Sequence, residues 1–248
     1  MARLPRPPRL AALVRDVAAE ATRLAVPLEC AGCGRWDVVL CAACLELLRP
    51  ERVDGGAPAL EPGLPVWGCG WYEREVRRIV LGWKTRGRLD VEPHLARVLA
   101  ACGTRAAGGP DAPGGAAEVW VVPAPSGPHR RLRGRPPVTR LALAVARGLA
   151  EAGRPARVVV ALGGGGRRTH RGAGARARRR HAPVRTRLAL DGTAVVLVDD
   201  VLTTGGTLQA CRTAVTAAGG TVLGAVVLAA ARPPGRAVHG LSRSVMVE

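Results

Sequence analysis

Phenylalanine is missing from this 248-residue chain, tyrosine occurs once, and of 37 basic residues a single one, Lys84, is a lysine. Alanine, glycine, proline and arginine dominate, which is the bias a GC-rich coding sequence produces. The formal net charge of +18 is discounted accordingly. Clustered cations do neutralise nucleic-acid phosphates and release their counterions, but part of this charge follows from composition and not from a polyanionic partner. Its distribution says more than its total. Long apolar runs are missing too. No stretch approaches the ~20 residues needed to cross a bilayer. The opening Met1 to Pro8 is followed by Asp16 and Glu20 in place of an uninterrupted apolar h-region. Both absences predict a cytoplasmic protein with no membrane insertion.

The cysteines are few and uneven. Cys30, Cys33, Cys41 and Cys44 lie together as two Cys-x-x-Cys knuckles, whereas Cys69, Cys102 and Cys211 are scattered. Doubled knuckles present four thiolates to one ion and suit tetrahedral zinc better than disulfides. So short a segment has too little core to fold unaided, and structural zinc contributes on the order of 10 kcal/mol in small modules. The module therefore reads as structural, and Cys69, Cys102 and Cys211 as small core residues. Trp67, Trp71, Trp83 and Trp120 read as packing residues, although Trp71 and Tyr72 could stack on bases.

Apolar spacing outlines the rest. Leu10, Leu13, Val14, Val17, Ala21 and Leu24 form one stripe of a helix over residues 10–25. A loop rich in glycine, proline and alanine follows the cysteines from Asp54 to Pro65. Helical patterns cover Glu75 to Trp83 and Val91 to Ala101, separated by the basic turn Lys84 to Arg88, and Arg105 to Ala117 is a low-complexity loop. Beyond it, short aliphatic runs alternate with helical ones: Val119 to Val122, helix Val138 to Ala152, Val158 to Leu162, Ala194 to Val198, helix Gly206 to Ala218, and Val222 to Leu228. Strands apolar on both faces with helices between them predict an α/β fold, a parallel sheet with helices on both faces. With the cysteine segment, this divides the chain into residues 1–50 and 51–248. Between Leu162 and Ala194 lies a glycine-hinged basic loop, Gly163 to Arg180, which either stays open or closes over an anion.

The chemistry concentrates at Val195-Val196-Leu197-Val198-Asp199-Asp200-Val201-Leu202-Thr203-Thr204-Gly205-Gly206-Thr207. The spacing predicts a strand over Val195 to Asp199 and a turn over Asp200 to Gly205 leading into a helix. In open parallel sheets, ligands bind where strands end at their carboxyl termini. Thr203, Thr204, Gly205, Gly206 and Thr207 supply backbone N–H groups, hydroxyls and close approach at a helix N-terminus, which is a phosphate cradle. No lysine follows the glycines, so this is not a Walker A loop. Asp199 and Asp200, ending an apolar strand, would be costly to leave ionised without hydroxyl or cation partners. A ribose 5-phosphate answers both needs. An ordinary glycine turn after a strand accounts for neither the paired carboxylates nor the three threonines.

That segment, Val201 included, closely resembles the phosphoribosyl-pyrophosphate (PRPP) signature of type I phosphoribosyltransferases. The cysteine module, Ile79 to Gly87 with Lys84, Val122-Pro123-Ala124-Pro125, the basic loop and the Asp-Asp signature are together similar, in order and spacing, to the ComF family. Those are competence-associated proteins that join a four-cysteine module to such a domain. The resemblance implies that Pro123, Ala124, Pro125 and Ser126 form the pyrophosphate turn. It also implies that Thr169 to His181, with Arg176, Arg178, Arg179 and Arg180, is a flexible loop covering the site, with Lys84 as a further anion contact. It implies magnesium bound with PRPP beside Asp199 and Asp200, which are then also the catalytic candidates. Arg135-Pro136-Pro137-Val138-Thr139 stands where the family shows Arg-Gly-Phe-Asn-Gln, and His170 and His181 stand where Gln and Asn are common. Purine-specific relatives often carry a carboxylate base where this chain has Thr203.

Three functions follow as expectations. One is a PRPP-binding ComF-type protein acting in uptake or processing of single-stranded DNA, with other competence proteins as partners. The second is an active phosphoribosyltransferase with an unidentified acceptor, and the third a zinc-containing interaction scaffold.

Overall fold

A computed structural model describes residues 28–53, 57–108, 117–125, 137–164 and 183–232. The stripe over residues 10–25, most of the 105–117 loop, Ser126 and the whole of Thr169 to His181 lie outside the described residues, as does His239.

The described residues open with a turn at Ala31 to Cys33 and a short helix α1 (Ala42–Glu46), then an edge strand β1 (Glu51–Arg52) and β2 (Val66–Gly68). Two helices follow, α2 (Arg74–Thr85) and α3 (Glu92–Ala106), then β3 (Val119–Pro123), α4 (Pro137–Glu151) and β4 (Ala156–Val158). A hairpin of β5 (Leu162–Gly164) and β6 (Val184–Thr186) precedes β7 (Ala194–Leu202), α5 (Gly206–Ala217) and β8 (Thr221–Ala230).

Among the described residues, six strands form one sheet in the order β1-β2-β8-β7-β3-β4. All neighbours are parallel except β1 and β2, so the sheet is mixed with one antiparallel edge. The apolar run of β7 sits at its centre because it can be covered on both sides. Val196 and Val198 face a core shared with Ile79 and Val80 of α2, Leu95 and Leu99 of α3, and Leu141 and Val145 of α4. Val195 and Leu197 face Leu208, Cys211 and Val215 of α5, with Leu162 and Leu190 beside them. Cys69, Cys102 and Cys211 are fully buried core residues.

Several boundaries differ from expectation: α2 runs through Lys84 and Thr85 in place of a turn there, α3 runs on to Ala106 beyond the expected start of the loop at Arg105, and two strands change. The run Val158 to Leu162 is not one strand: β4 ends at Val158, and Leu162 opens the separate β5–β6 hairpin. The cause is local, since Val160 is exposed while Leu162 turns into the α5-side core. Strand β7 in turn runs past Asp199 to Leu202, because Val201 and Leu202 stay in register with Ala229 and Ala230 of β8. The turn into α5 is correspondingly short.

Candidate functional site

Strand β3 is followed by α4 on one face of the sheet, and β7 by α5 on the other. Adjacent parallel strands whose crossovers leave in opposite directions open a crevice at their carboxyl ends, where open α/β sheets bind ligands. Here β3 and β7 pair from Val119↔Ala194 to Pro123↔Val198, and Ala124 N–H extends the ladder by donating to Val198 O at 2.7 Å. Fold topology thus brings Pro123, Ala124 and Pro125 beside Asp199 and Asp200, far apart in sequence.

The turn after β7 is shaped by Gly205, whose φ of +86° is left-handed and whose residue caps α5. Thr203 and Thr204 are exposed, with Gly206 and Thr207 half-buried at the helix start. The N–H groups of the first helical turn have no intrahelical acceptor. They lie at the same end as the exposed Thr203 and Thr204, an arrangement able to hold a phosphate. From behind, a described part of the glycine- and proline-rich loop packs on this turn. Ala59 N–H donates to Thr204 O at 2.8 Å, and Glu61 N–H to Gln209 Oε1 at 3.0 Å. Sequence reasoning missed this support, since residues 57–61 carry no motif.

The two carboxylates are treated differently. Asp199 Oδ1 accepts the N–H of Asp200 at 2.8 Å, and its charge, after burial, adds to the upward shift of the Cys211 thiol on α5. Asp200 is buried, and its Oδ2 lies 2.5 Å from Lys84 Nζ. Lys84 therefore sits in the last turn of α2, and its partner here is a carboxylate. Oxygen donors of this kind suit a hard cation such as magnesium, with the ammonium already present at one of them. Of the basic loop, only its stem is described: Gly163 and Gly164 pair with Arg185 and Val184.

Next to the crevice, at the ends of β2 and β8, Trp71 bridges to Ala230, and the Arg232 guanidinium lies 4.7 Å from the Trp71 ring centre and 3.1 Å from Glu73. Burial raises the Glu51 carboxyl at this edge, with Arg232 and Trp71 opposing. The aromatic Trp71 is thus occupied by a cation.

The four clustered cysteines converge. Their sulfurs all lie within 4.8 Å of one another, Cys33 and Cys41 at 3.6 Å. Four thiolates at about 2.3 Å from one zinc would be roughly 3.8 Å apart, so the donors fit a tetrahedral ion. Burial works against ionising Cys30, but backbone groups of Cys33, Cys41 and Gly32 and the Cys44 thiol outweigh it and bring Cys30 to about 6. Burial, then hydrogen bonds to the other three cysteines, raises Cys44. If bound, the ion would cross-link both knuckles.

A model of the phosphoribosyl transferase domain matches residues 143–240, from α4 through β8. No curated protein sequence matches the chain. Solved structures that it resembles include hypoxanthine-guanine phosphoribosyltransferase of Leishmania donovani, at 16% identity over 55% of this chain and 71% of that one, with a TM-score of 0.36. Adenine phosphoribosyltransferase of Rhodothermus marinus is 19% identical over 77% and 88%, with a TM-score of 0.37. The α/β fold is therefore phosphoribosyltransferase-like over residues 143–240 and is accompanied by a four-cysteine cluster, and among the described residues no helix is long and apolar enough to cross a membrane.

Proposed function

We propose that this protein binds magnesium-PRPP at the β3–β7 crevice and is of ComF type. The observation that carries the reading is the short turn Thr203 to Gly205, left-handed at Gly205, which follows two carboxylates on β7 and opens helix α5. Thr203, Thr204, Gly206 and Thr207 would hold the 5-phosphate, and Asp199 and Asp200 the ribose hydroxyls. Pro123 to Ser126 would receive the pyrophosphate. Magnesium would neutralise charge between pyrophosphate and hydroxyls, while the chain's own part is to bind and orient. Thr203 cannot act as a base, so the reading is one of ligand recognition first. A role in single-stranded DNA uptake or processing, with other competence proteins, rests on the family resemblance and on the Arg176 to Arg180 loop. Zinc at Cys30, Cys33, Cys41 and Cys44 would serve structure.

The test is calorimetric titration of magnesium-PRPP into wild-type and Asp199→Asn/Asp200→Asn protein. Saturable binding, lost in the double variant, is expected; a wild-type protein that takes up no PRPP would sink the reading. Release of pyrophosphate would add turnover, and salt-dependent binding of single-stranded DNA would support the competence role.

A further inference from the structure

The ion pair between Lys84 and Asp200 goes beyond this reading, on which it rests. Both ends are rooted in packed structure. Lys84 leaves helix α2 one residue after Trp83, in a helix whose Ile79, Val80 and Trp83 are buried, and Asp200 belongs to the central strand. The two side chains are 16% and 12% exposed, with 2.5 Å between Nζ and Oδ2. A chain that uses arginine at every other basic position uses its one lysine here. The difference is chemical: a guanidinium forks over both carboxylate oxygens, whereas an ammonium is a compact point charge that holds one oxygen and exchanges partners readily.

We propose that Lys84 is a specificity-determining cation that keeps divalent metal off Asp200 until a ligand brings its own anionic group alongside. A divalent cation arriving alone at Asp200 would meet the ammonium at close range and be repelled. A ligand that chelates its metal through a pyrophosphate removes the obstacle. Its negative charge offers Lys84 a new partner and leaves Asp200 to the ribose hydroxyls and the metal beside them. Ribose 5-phosphate, with no anionic group at C1, offers no such exchange. Lys84 thus makes the site discriminate for a pyrophosphate-bearing sugar.

The experiment uses the full-length, zinc-loaded protein and manganese(II) as the probe, followed by electron paramagnetic resonance without any sugar phosphate. Wild type and Lys84→Arg should bind manganese weakly. Lys84→Met should gain one site per chain, about tenfold tighter, and Lys84→Met/Asp200→Asn should lose that gain. If the methionine variant fails to fold, Lys84→Gln is measured in its place with the same expectation. A Lys84→Met protein that binds manganese no better than wild type, or a gain that survives in the double variant, would overturn the gate. In a second arm, Lys84→Met should lose about tenfold in the preference for PRPP over ribose 5-phosphate, and an unchanged preference would overturn the specificity role. The two failures remain distinct. Manganese exclusion without any PRPP binding by wild type would remove the proposed ligand, whereas PRPP binding without manganese gain in Lys84→Met would remove the gate alone.

Discussion

At Gly205 the backbone is left-handed, and a Cβ would come within 2.9 Å of Leu60 Cβ, 3.0 Å of Ala57 Cβ and 3.1 Å of Leu60 N. Both costs of a side chain, dihedral strain and crowding, fall on the turn that forms the cradle. Gly205→Ala should therefore lose about 2 kcal/mol of stability and melt roughly 4–8 °C lower. A melting temperature unchanged within a degree would show that the turn can shift. At this scale the sequence is legible where chemistry lies in neighbouring residues. Asp199, Asp200, Thr203, Thr204 and Gly205 name a phosphate and sugar site because they adjoin one another. Lys84 could be singled out as the one lysine, but its partner could not, because only the packing of α2 against the sheet brings it to Asp200. The same limit hid Ala59 and Leu60, ordinary loop residues that matter only through the turn behind which they lie.

Helices α3 and α4 meet through glycine. A Cβ on Gly148 would fall 2.5 Å from Ala100 Cα and 2.6 Å from Ala100 O, and one on Gly103 would fall 2.7 Å from a Val145 methyl. Alanine favours a helix interior over glycine by up to about 1 kcal/mol, but overpacking against a neighbouring backbone costs about 1–3 kcal/mol. The clash wins. Gly148→Ala should lower the urea midpoint by an amount equivalent to about 1–2 kcal/mol, with the slope unchanged. Gly82 in α2 is the control. Its Cβ would meet only Arg88 side-chain carbons at 3.6 Å and beyond, so Gly82→Ala should stabilise by about 0.5–1 kcal/mol. If both substitutions destabilise alike, helix crowding is not the cause. The element scale also explains which boundaries were readable. Helices α2 to α5 carry apolar stripes and were visible. The strands β1, β2, β5 and β6 are two or three residues long, too short for a period. Aspartate is disfavoured in strands, which is why β7 seemed to stop at Asp199, yet its pairing with β8 carries the ladder on to Leu202.

Across the whole molecule, the cysteine cluster and the sheet are joined by one core. Cys30, Leu40, Cys41, Cys44 and Leu48 pack in the same buried cluster as Val76, Ile79 and Val80 of α2. Arg78 Nη1 donates to Gly32 O at 3.3 Å, and Arg88 Nη2 to Glu29 O at 2.9 Å. A Cβ on Gly32 would lie 2.6 Å from Cys44 Sγ and 3.3 Å from Glu75 Cβ, so knuckle and helix touch with no room between them. The knuckles were plain in the sequence from their spacing. Their contact with α2 was not, because its surface is built from unremarkable apolar residues. One consequence reaches the site: α2 carries Lys84, so loosening the cluster should loosen the ion pair at Asp200. Zinc removal by a chelator should therefore lower the melting temperature by on the order of 10 °C, equivalent to several kcal/mol. It should also raise hydrogen exchange in residues 74–85 as well as in residues 28–48. The pH dependence has a definite sign. Without metal the Cys30 thiol is lowered to about 6 from an ordinary 9.0, so its thiolate favours the folded state in full above 9 and the contribution is lost as pH falls from there through about 6, while protons compete with zinc for all four thiolates. Metal release and melting should accordingly move together between neutral pH and pH 5. Exchange confined to residues 28–48 after chelation would show instead that the cluster is a detachable unit, and that α2 holds Lys84 in place without it.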